Sequence, residues 1–479
     1  MPWGKLSNIE TAFTFGDVIL LPGKTEVEPS GVDLSTRLGD IGLHVPILSS
    51  PMDTVTEAEM AIAMARMGGL GVLHRNCAVE EQVNMAKTVK RAESFIIRDV
   101  VTVTPENSVE RAKRIMKEMN ISGLPVVSEG KLVGIVTKRD VYFAENGEQK
   151  VKDIMTKDVI TVNPEITPQE ARKIMSRYKI EKLPVVDDSG SLVGLITAKD
   201  VFYRESHPFA TRDEEGRLRV AAAISPFDIE RAKALEPYVD LLVTDVAHFH
   251  NENVIRAAKR ITEEVNVPLV AGNIGTFEAA EEVLTRLDTV ALRVGIASGS
   301  ICTTGEVTGV AAPTLYAVAR TSEAVMKYGS DVAVIADGGV RGPAEAAKAF
   351  AAGADAVMLG FALAGTKESP GSPLIVGGKM YKVYRGMGSP SARSKRFALD
   401  RYSKPSKDIA EGIEGLVPYR GDVATVIDKF VAGLKAAFGY VGAASISEMK
   451  TKARMAVISP IGTREIAPHD VKPMDKFAL

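Results

Sequence analysis

The stretch Val334-Ile-Ala-Asp-Gly-Gly-Val-Arg-Gly-Pro-Ala-Glu-Ala-Ala-Lys-Ala-Phe-Ala-Ala-Gly-Ala-Asp-Ala-Val-Met-Leu-Gly360 decides the fold class. It opens on an apolar run that ends in Asp337-Gly-Gly339, passes through the helix-forming segment Ala344 to Ala352, and closes on a second apolar run from Ala356 to Gly360. Continuous apolar strands separated by helices belong to a parallel sheet covered on its outside. Working outward, the same texture recurs at Ile47–Ser50, Gly71–His74, Val220–Ser225, Leu241–Val246, Leu269–Asn273 and Ala291–Gly295, which brings the count of strands to eight. Eight parallel βα units close most economically into a (β/α)8 TIM barrel, with the active site on loops at the strand C-terminal ends. The rival, an open doubly wound sheet with a dinucleotide site, lacks support because no Gly-x-Gly-x-x-Gly opens a helix. Pro22-Gly-Lys-Thr25 lacks the leading glycine of a phosphate loop and reads as a turn.

Between the second and third strands the texture changes to an internal repeat. Val101-Thr-Val-Thr-Pro105 recurs as Ile160-Thr-Val-Asn-Pro164, Leu124-Pro-Val-Val127 as Leu183-Pro-Val-Val186, and Leu132-Val-Gly134 as Leu192-Val-Gly194. Each unit reads as a short strand, an amphipathic helix and two strands joined by a polar turn, so a pair can bury its apolar faces together. The expected organisation is a first barrel part over 1–92, an inserted α+β domain over 93–204 and a second barrel part over 205–479.

Composition narrows the function. Lys+Arg 59 against Asp+Glu 61 leaves a formal charge of −2 in 479 residues, without the basic excess of a protein that neutralises nucleic-acid phosphates. The two cysteines, Cys77 and Cys302, exclude a disulfide scaffold and fit a reducing compartment. The start Met-Pro-Trp-Gly-Lys opens no apolar signal core, and no apolar run nears the roughly 20 residues of a membrane span. A cytoplasmic location is expected.

Polar residues just past the strands should share one mouth: Ser50 and Asp53, Asp245 and His248, Asn273, Arg293, Ser300 to Thr304, Asp337-Gly-Gly339, and Gly360. In the loop Gly295-Ile-Ala-Ser-Gly-Ser-Ile-Cys-Thr-Thr304, small residues allow close backbone approach and expose the Cys302 sulfur, which marks a nucleophile. Arg293 and the loop amides could stabilise its thiolate, whereas Cys77 reads as a packing residue. Gly338, Gly339 and Gly360 fall at the phosphate-binding corner of such barrels, and Asp337 suits a ribose diol. Tyr384-Arg-Gly-Met-Gly-Ser389 offers the same phosphate a hydroxyl and free amides. The polar stretch from about 389 to 415, which contains Asp400-Arg-Tyr402 and Glu411-Gly-Ile-Glu-Gly415, reads as a lid.

Taken together, Ser49-Ser-Pro-Met-Asp-Thr-Val55, Gly272-Asn273, Gly299-Ser-Ile-Cys-Thr-Thr304, Ala336-Asp-Gly-Gly339, Tyr384-Arg-Gly-Met-Gly-Ser389, Asp400-Arg-Tyr402 and Glu411-Gly-Ile-Glu-Gly-Leu-Val-Pro-Tyr419 resemble the inosine-monophosphate dehydrogenase family over essentially the whole chain. The inserted pair resembles that family's two CBS repeats. The resemblance implies oxidation of IMP to XMP by NAD, in guanine nucleotide biosynthesis. Cys302 would attack C2 of the base, and the covalent thioimidate would be hydrolysed with Arg401 as base and Tyr402 and Thr304 orienting water. It further implies that Ser50, Ser300, Asp337, Gly338, Gly339, Gly360, Tyr384, Gly386, Gly388 and Gly412 bind the nucleotide, with Met387 and Glu411 facing its base. Asp245, Asn273 and Arg293 would lie toward nicotinamide. A monovalent cation, K+, would sit on backbone carbonyls of Gly295, Ala297 and Cys302. Thr137, Asp140, Thr197 and Asp200 would bind a regulatory adenine or guanine nucleotide, although as strand-end helix caps they would have a structural role anyway. A homotetramer, or an octamer of paired tetramers, is the implied assembly.

Three departures stand out. Ala297 replaces a usual glycine and would disturb the cation site if that position needs φ > 0. Gly305 stands where microbial members often have arginine, and Val246-Ala247 lack the hydroxyls that some members offer the cofactor. Two other readings compete: a GMP reductase, using NADPH, and a non-catalytic nucleotide sensor. Arg401-Tyr402 argues against the first, and the joint presence of Cys302, Thr304, Asp337 and Arg401 against the second.

Overall fold

The computed structural model describes residues 9–93, 95–98, 100–395, 397 and 410–469. It divides into two compact units, one comprising 1–90, 209–211 and 219–479, the other 91–208 and 212–218.

The first unit is a closed parallel barrel of eight strands: Ile47–Ser49 (β1), Leu70–Leu73 (β2), Ala221–Ile224 (β3), Leu241–Thr244 (β4), Leu269–Ile274 (β5), Ala291–Val294 (β6), Ala333–Asp337 (β7) and Ala356–Leu359 (β8). Closure comes from β8 pairing with β1, Val357 opposite Ile47 and Leu359 opposite Ser49. All eight expected strands form, their ends shifted by up to two residues. Alternate residues fill the interior: Leu70 and Val72, Ala221 and Ala223, Leu241 and Val243, Ala333 and Ile335, Ala356 and Met358. Their neighbours Ala222, Leu242, Val334 and Val357 are also fully buried. Burial on both faces is why the strands read as unbroken apolar runs rather than as alternation. A hairpin, Thr36–Leu38 with Ile41–Leu43, contributes Leu38, Ile41 and Leu43 to the same core. Past that core, the strand C-terminal ends carry polar side chains such as Ser49, Asn273, Arg293 and Asp337.

Beyond the barrel, Leu374–Val376 (β9), Lys379–Arg385 (β10) and Glu414–Pro418 (β11) form a three-stranded antiparallel sheet. Within the stretch expected to be a lid, Pro390–Ser394 forms a short helix and Glu414 opens β11. Among the described residues, no helix is long and apolar enough to cross a membrane.

In the second unit each repeat has its own core. Ala112, Met116, Leu124, Val126 and Val136 occupy in the first repeat the places of Ala171, Met175, Leu183, Val185 and Ile196 in the second. The helices Val109–Glu118 and Pro168–Tyr178 each precede a hairpin, as expected. The expected opening strands shrink to single bridges, Val103 with Val126 and Val162 with Val185. Each is followed within two residues by a proline, Pro105 or Pro164, which offers no N–H to extend a ladder.

Ile335 is fully buried in the barrel interior. Ile335→Ala should lower the stability of this unit by about 2–5 kcal/mol, read as a shift of the urea midpoint at unchanged slope.

Candidate active site

At the C-terminal ends of the strands lies a cavity of about 550 Å³, within the size range of small-molecule sites. Of the expected nucleotide residues, Ser50, Ser300, Asp337, Gly338, Gly339, Gly360, Tyr384, Gly386, Met387, Gly388 and Glu411 line it, as do Cys302, Thr304, Asn273, Arg293, Gly295 and Ala297. Gly412 lies just behind, where a Cβ would come within 3.2 Å of the Ser389 amide. Arg401 and Tyr402 lie outside the described residues. Thr137, Asp140, Thr197 and Asp200 belong to the other unit, where Thr137 with Asp140 and Thr197 with Asp200 close capping boxes at two helix N-termini.

The loop after β6 is shaped by contacts that its small residues permit. Gly295 has φ 123°, and a Cβ there would stand 2.3 Å from the carbonyl oxygen of Asp337. Ala297 takes φ 59°, so it occupies the left-handed region that the usual glycine would favour. Ser298 Oγ and Thr314 Oγ1 lie 2.7 Å apart, and Thr314 Oγ1 donates to the Asp337 carbonyl at 3.0 Å, tying the loop to the end of β7. On its other side the loop is laced to the segment before β11. Ile413 N donates to Ile301 O at 3.1 Å, and Cys302 forms a bridge with Gly412.

These ties place Cys302 in a hydrogen-bonded chain. Its Sγ donates to Thr304 Oγ1 at 3.3 Å, and Thr304 Oγ1 donates to Glu411 Oε2 at 2.7 Å. Cys302 is partly exposed, while Glu411 is buried. A thiol, a hydroxyl and a carboxylate in this order can pass a proton away from sulfur. Cys77 is buried with its Sγ toward His74 O, and burial pushes its thiol up to about 11.

The corner expected to take a nucleotide is built at the ends of β7 and β8. Gly338 and Gly339 have φ 94° and 72°, and a Cβ on Gly338 would come within 2.7 Å of Ser298 Oγ. At Gly360 a Cβ would sit 3.0 Å from the Tyr384 hydroxyl. Burial raises the Tyr384 phenol well above its usual range, against a hydrogen bond with Ser300 that lowers it, so it remains a proton donor. Asp337 Oδ2 accepts from Asn273 Nδ2 at 2.9 Å and Arg293 Nε at 2.7 Å. Asn273 Nδ2 also donates to Gly295 O at 2.9 Å.

Several expectations are corrected here. Arg293 turns its guanidinium to Asp337 and, through Nη1 at 3.5 Å, to Asp245. Asp245 does not line the cavity: it is fully buried, ion-paired to Arg75 and Arg293. His248 is exposed and also outside the lining. Asp53 is buried, accepts from Arg385 Nε at 3.0 Å and Asn76 Nδ2 at 2.9 Å, and lies 3.6 Å from Lys395 Nζ. Burial would raise its pKa, but the bonds from Arg385 and Asn76 outweigh that and hold it below the ordinary carboxylate value. Its work is to clamp the end of β10, which carries Tyr384 and the 386–388 turn.

Lining residues that the sequence reading missed include Thr14, Met52, Ser298, Thr314 and Arg341. Met52 and Ser298 lie inside motifs already singled out. Thr14, in the segment before the barrel, carried no signal.

A parallel eight-stranded barrel with a cysteine on the sixth loop and glycine-rich ends on the last two strands defines a class: (β/α)8 enzymes that hold a phosphorylated ligand at the strand C-terminal ends. A family model described as the IMP dehydrogenase / GMP reductase domain matches residues 12–469. The chain is 80% identical over 474 residues to the inosine-5'-monophosphate dehydrogenase of Korarchaeum cryptofilum, covering 99% of this chain and 100% of that protein. It is 51% identical to that of Thermoplasma acidophilum, covering 98% and 96%. Among solved structures, a cysteine-to-alanine variant of GMP reductase from Trypanosoma brucei with guanosine 5'-monophosphate aligns at TM-score 0.89 and 36% identity, over 98% of this chain and 100% of that one. The chain belongs to the IMP dehydrogenase / GMP reductase family.

Two outcomes test the site's construction. In the native protein at pH 8, a thiol reagent should label Cys302 and leave Cys77 at least about an order of magnitude slower, as read by peptide mass spectrometry, because the buried thiol holds its proton. Asp53→Asn should destabilise the protein at neutral pH by roughly 1.5–3 kcal/mol. The folded-state pKa of Asp53 is depressed, so its contribution is present above the unfolded value near ~4 and is lost as pH falls through the folded value. The gap between Asp53→Asn and the unmutated protein in urea midpoint should therefore close in acid.

Proposed function

We propose that this protein oxidises IMP to XMP with NAD through a covalent intermediate on Cys302. The single observation that carries the reading is the Cys302–Thr304–Glu411 chain, set in a cavity whose far corner is built of Gly338, Gly339, Gly360 and Tyr384. The names of the relatives at 80% and 51% identity support the same substrate.

The residues divide the work as follows. Backbone amides at Gly338, Gly339 and the 386–388 turn, with the Tyr384 hydroxyl, receive the phosphate, and Asp337 Oδ1 accepts from the ribose. The base then rests against Met387 and Cys302. Cys302 Sγ bonds to C2, its proton passing to Thr304 Oγ1 as that hydroxyl gives its own to Glu411. Hydrogen leaves C2 with the bonding electron pair, giving the thioimidate, and NAD, when bound, supplies the acceptor for that pair. Water then adds to C2, the C–S bond breaks and Cys302 leaves as thiolate. The balance is IMP, NAD+ and water giving XMP, NADH and one proton. Splitting the reaction this way replaces one difficult displacement by two easier steps. Arg401 and Tyr402, outside the described residues, are proposed to deprotonate and orient the water.

The donor set fits both implied groups. With Nδ2 of Asn273 taken by Gly295 and Asp337, its Oδ1 is the atom offered to the nicotinamide carboxamide, beside Arg293. Asp245 sits behind Arg293 and stays out of the cavity. Ala297 keeps the positive φ of a glycine, so the loop course that would present the carbonyls of Gly295, Ala297 and Cys302 to K+ survives the replacement. A homotetramer, and nucleotide binding by the inserted unit, form part of the same proposal. A nucleotide at Thr137 and Asp140 or Thr197 and Asp200 would share side chains already used as helix caps.

The deciding measurement is absorbance at the NADH band. IMP plus NAD should produce growth and GMP plus NADPH no loss, the reverse pattern selecting the reductase. Cys302→Ala should abolish turnover, by at least about 10³-fold, while IMP still binds in calorimetry. Normal turnover in that variant would rule out the covalent route.

A further inference from the structure

Arg75 is the first residue but one after β2, a strand whose C-terminal end contributed nothing to the site as read from sequence. It is 2% exposed, one of the largest fully buried side chains in the protein. Arg75 Nη2 donates to the Asp245 carbonyl at 2.9 Å, and its Nε lies 3.3 Å from Asp245 Oδ2. Asp245 Oδ1 faces Arg293 Nη1 at 3.5 Å, and Arg293 Nε bonds Asp337 Oδ2 at 2.7 Å. The four groups form a line of alternating charge, Arg75, Asp245, Arg293, Asp337, drawn from the ends of β2, β4, β6 and β7. Of the four, Arg75 and Asp245 stay outside the cavity lining, while Arg293 and Asp337 reach it.

We propose that Arg75 is a positioning residue for nucleotide binding: by holding Asp245 it decides how Arg293 is shared between two carboxylates, and so where Asp337 presents its free oxygen. The inference rests on the function proposed above and adds to it a residue that never touches the substrate. The physical reason is the cost of removing one partner from a buried ion pair. Without Arg75, the wholly buried Asp245 loses the guanidinium that faces its Oδ2, and Arg293, 3.5 Å from its Oδ1, is drawn toward it. A guanidinium is a rigid planar fork, so turning it to face Asp245 with two nitrogens swings Nε away from Asp337. Asp337 then loses the bond that fixes its carboxylate plane, and the ribose loses a positioned acceptor. The reacting atoms at Cys302 are untouched. The effect should therefore fall on binding shared by ground and transition states, raising KM without a matching fall in kcat.

The test uses the full chain in steady-state assays with IMP and NAD, and Arg75→Lys, Arg75→Met and the double variant Arg75→Met/Asp245→Asn. Arg75→Met should raise the KM for IMP about tenfold with kcat within about threefold, and Arg75→Lys, which keeps the charge but not the fork, should fall between it and the unmutated protein. The double variant removes one charge of each sign and should bring the KM for IMP back to within about threefold, a rescue that a merely structural loss would not give. The same order should appear in IMP dissociation constants from calorimetry. Should Arg75→Met fail to fold, Arg75→Lys and the double variant still decide. An unchanged KM in Arg75→Lys together with Arg75→Met, or a double variant no better than Arg75→Met, overturns the proposal. Absence of IMP oxidation by the unmutated protein would instead count against the function itself.

Discussion

The pairing of β8 with β1 is the constraint on which the rest depends. Once Val357 lies opposite Ile47 and the sheet has no edge, eight strand ends that are hundreds of residues apart must face one opening. Parallel strands make that opening chemically uniform, since each delivers its C-terminal loop to the same side. Ser50, Asn273, Arg293, Cys302, Asp337 and Gly360 become neighbours for that reason alone. The interior can then be filled by alternate apolar residues such as Val243, Ile335 and Met358, the last of which also lines the cavity.

Charge is handled in the same spirit. The formal charge of the chain is near zero, and the groups that matter for an anionic ligand are amides, hydroxyls and carefully neutralised ion pairs. Asp53 is balanced by Arg385, and Asp245 by Arg75 and Arg293. Buried carboxylates of this kind are costly alone and stable in such company. Their value is geometric: one fixes the end of β10 with Tyr384, the other fixes Arg293 beneath Asp337. The loop that carries Cys302, by contrast, is held by backbone and hydroxyl contacts from Thr314 and Ile413, and the cysteine stays partly exposed.

Most of the cavity was legible in the chain because strand ends in a parallel barrel are recognisable: an apolar run stops and Gly, Ser, Asn or Asp begins. The same rule misplaced Asp53 and Asp245. Nothing in the local sequence distinguishes a carboxylate that faces the mouth from one that is capped by an arginine, and here the arginines are 332 and 170 residues away. Arg75 was invisible for the complementary reason, its carboxylate partner lying on a strand beyond the inserted unit. The short strands expected to open each repeat reduced to single bridges, since a five-residue stretch ending in proline supports little more. Thr137 and Thr197, in contrast, read correctly as caps, because a capping box is a contact three residues long.

By itself the sequence determined the barrel, the inserted repeat pair, the small-residue loop around Cys302 and the glycine-rich corner. All of these depend on short-range regularities: the period of burial along a strand, recurrence at a fixed interval, and small residues where backbone must approach a ligand. Only the tertiary structure decided which charged residues reach the cavity and which neutralise one another behind it. It also decided that Ala297 keeps a glycine's φ and that Cys302 is linked through Thr304 to Glu411. Those facts are set by partners distant in sequence, brought within bonding distance when the barrel closes, and pairwise contact at that range leaves no periodic trace in the chain.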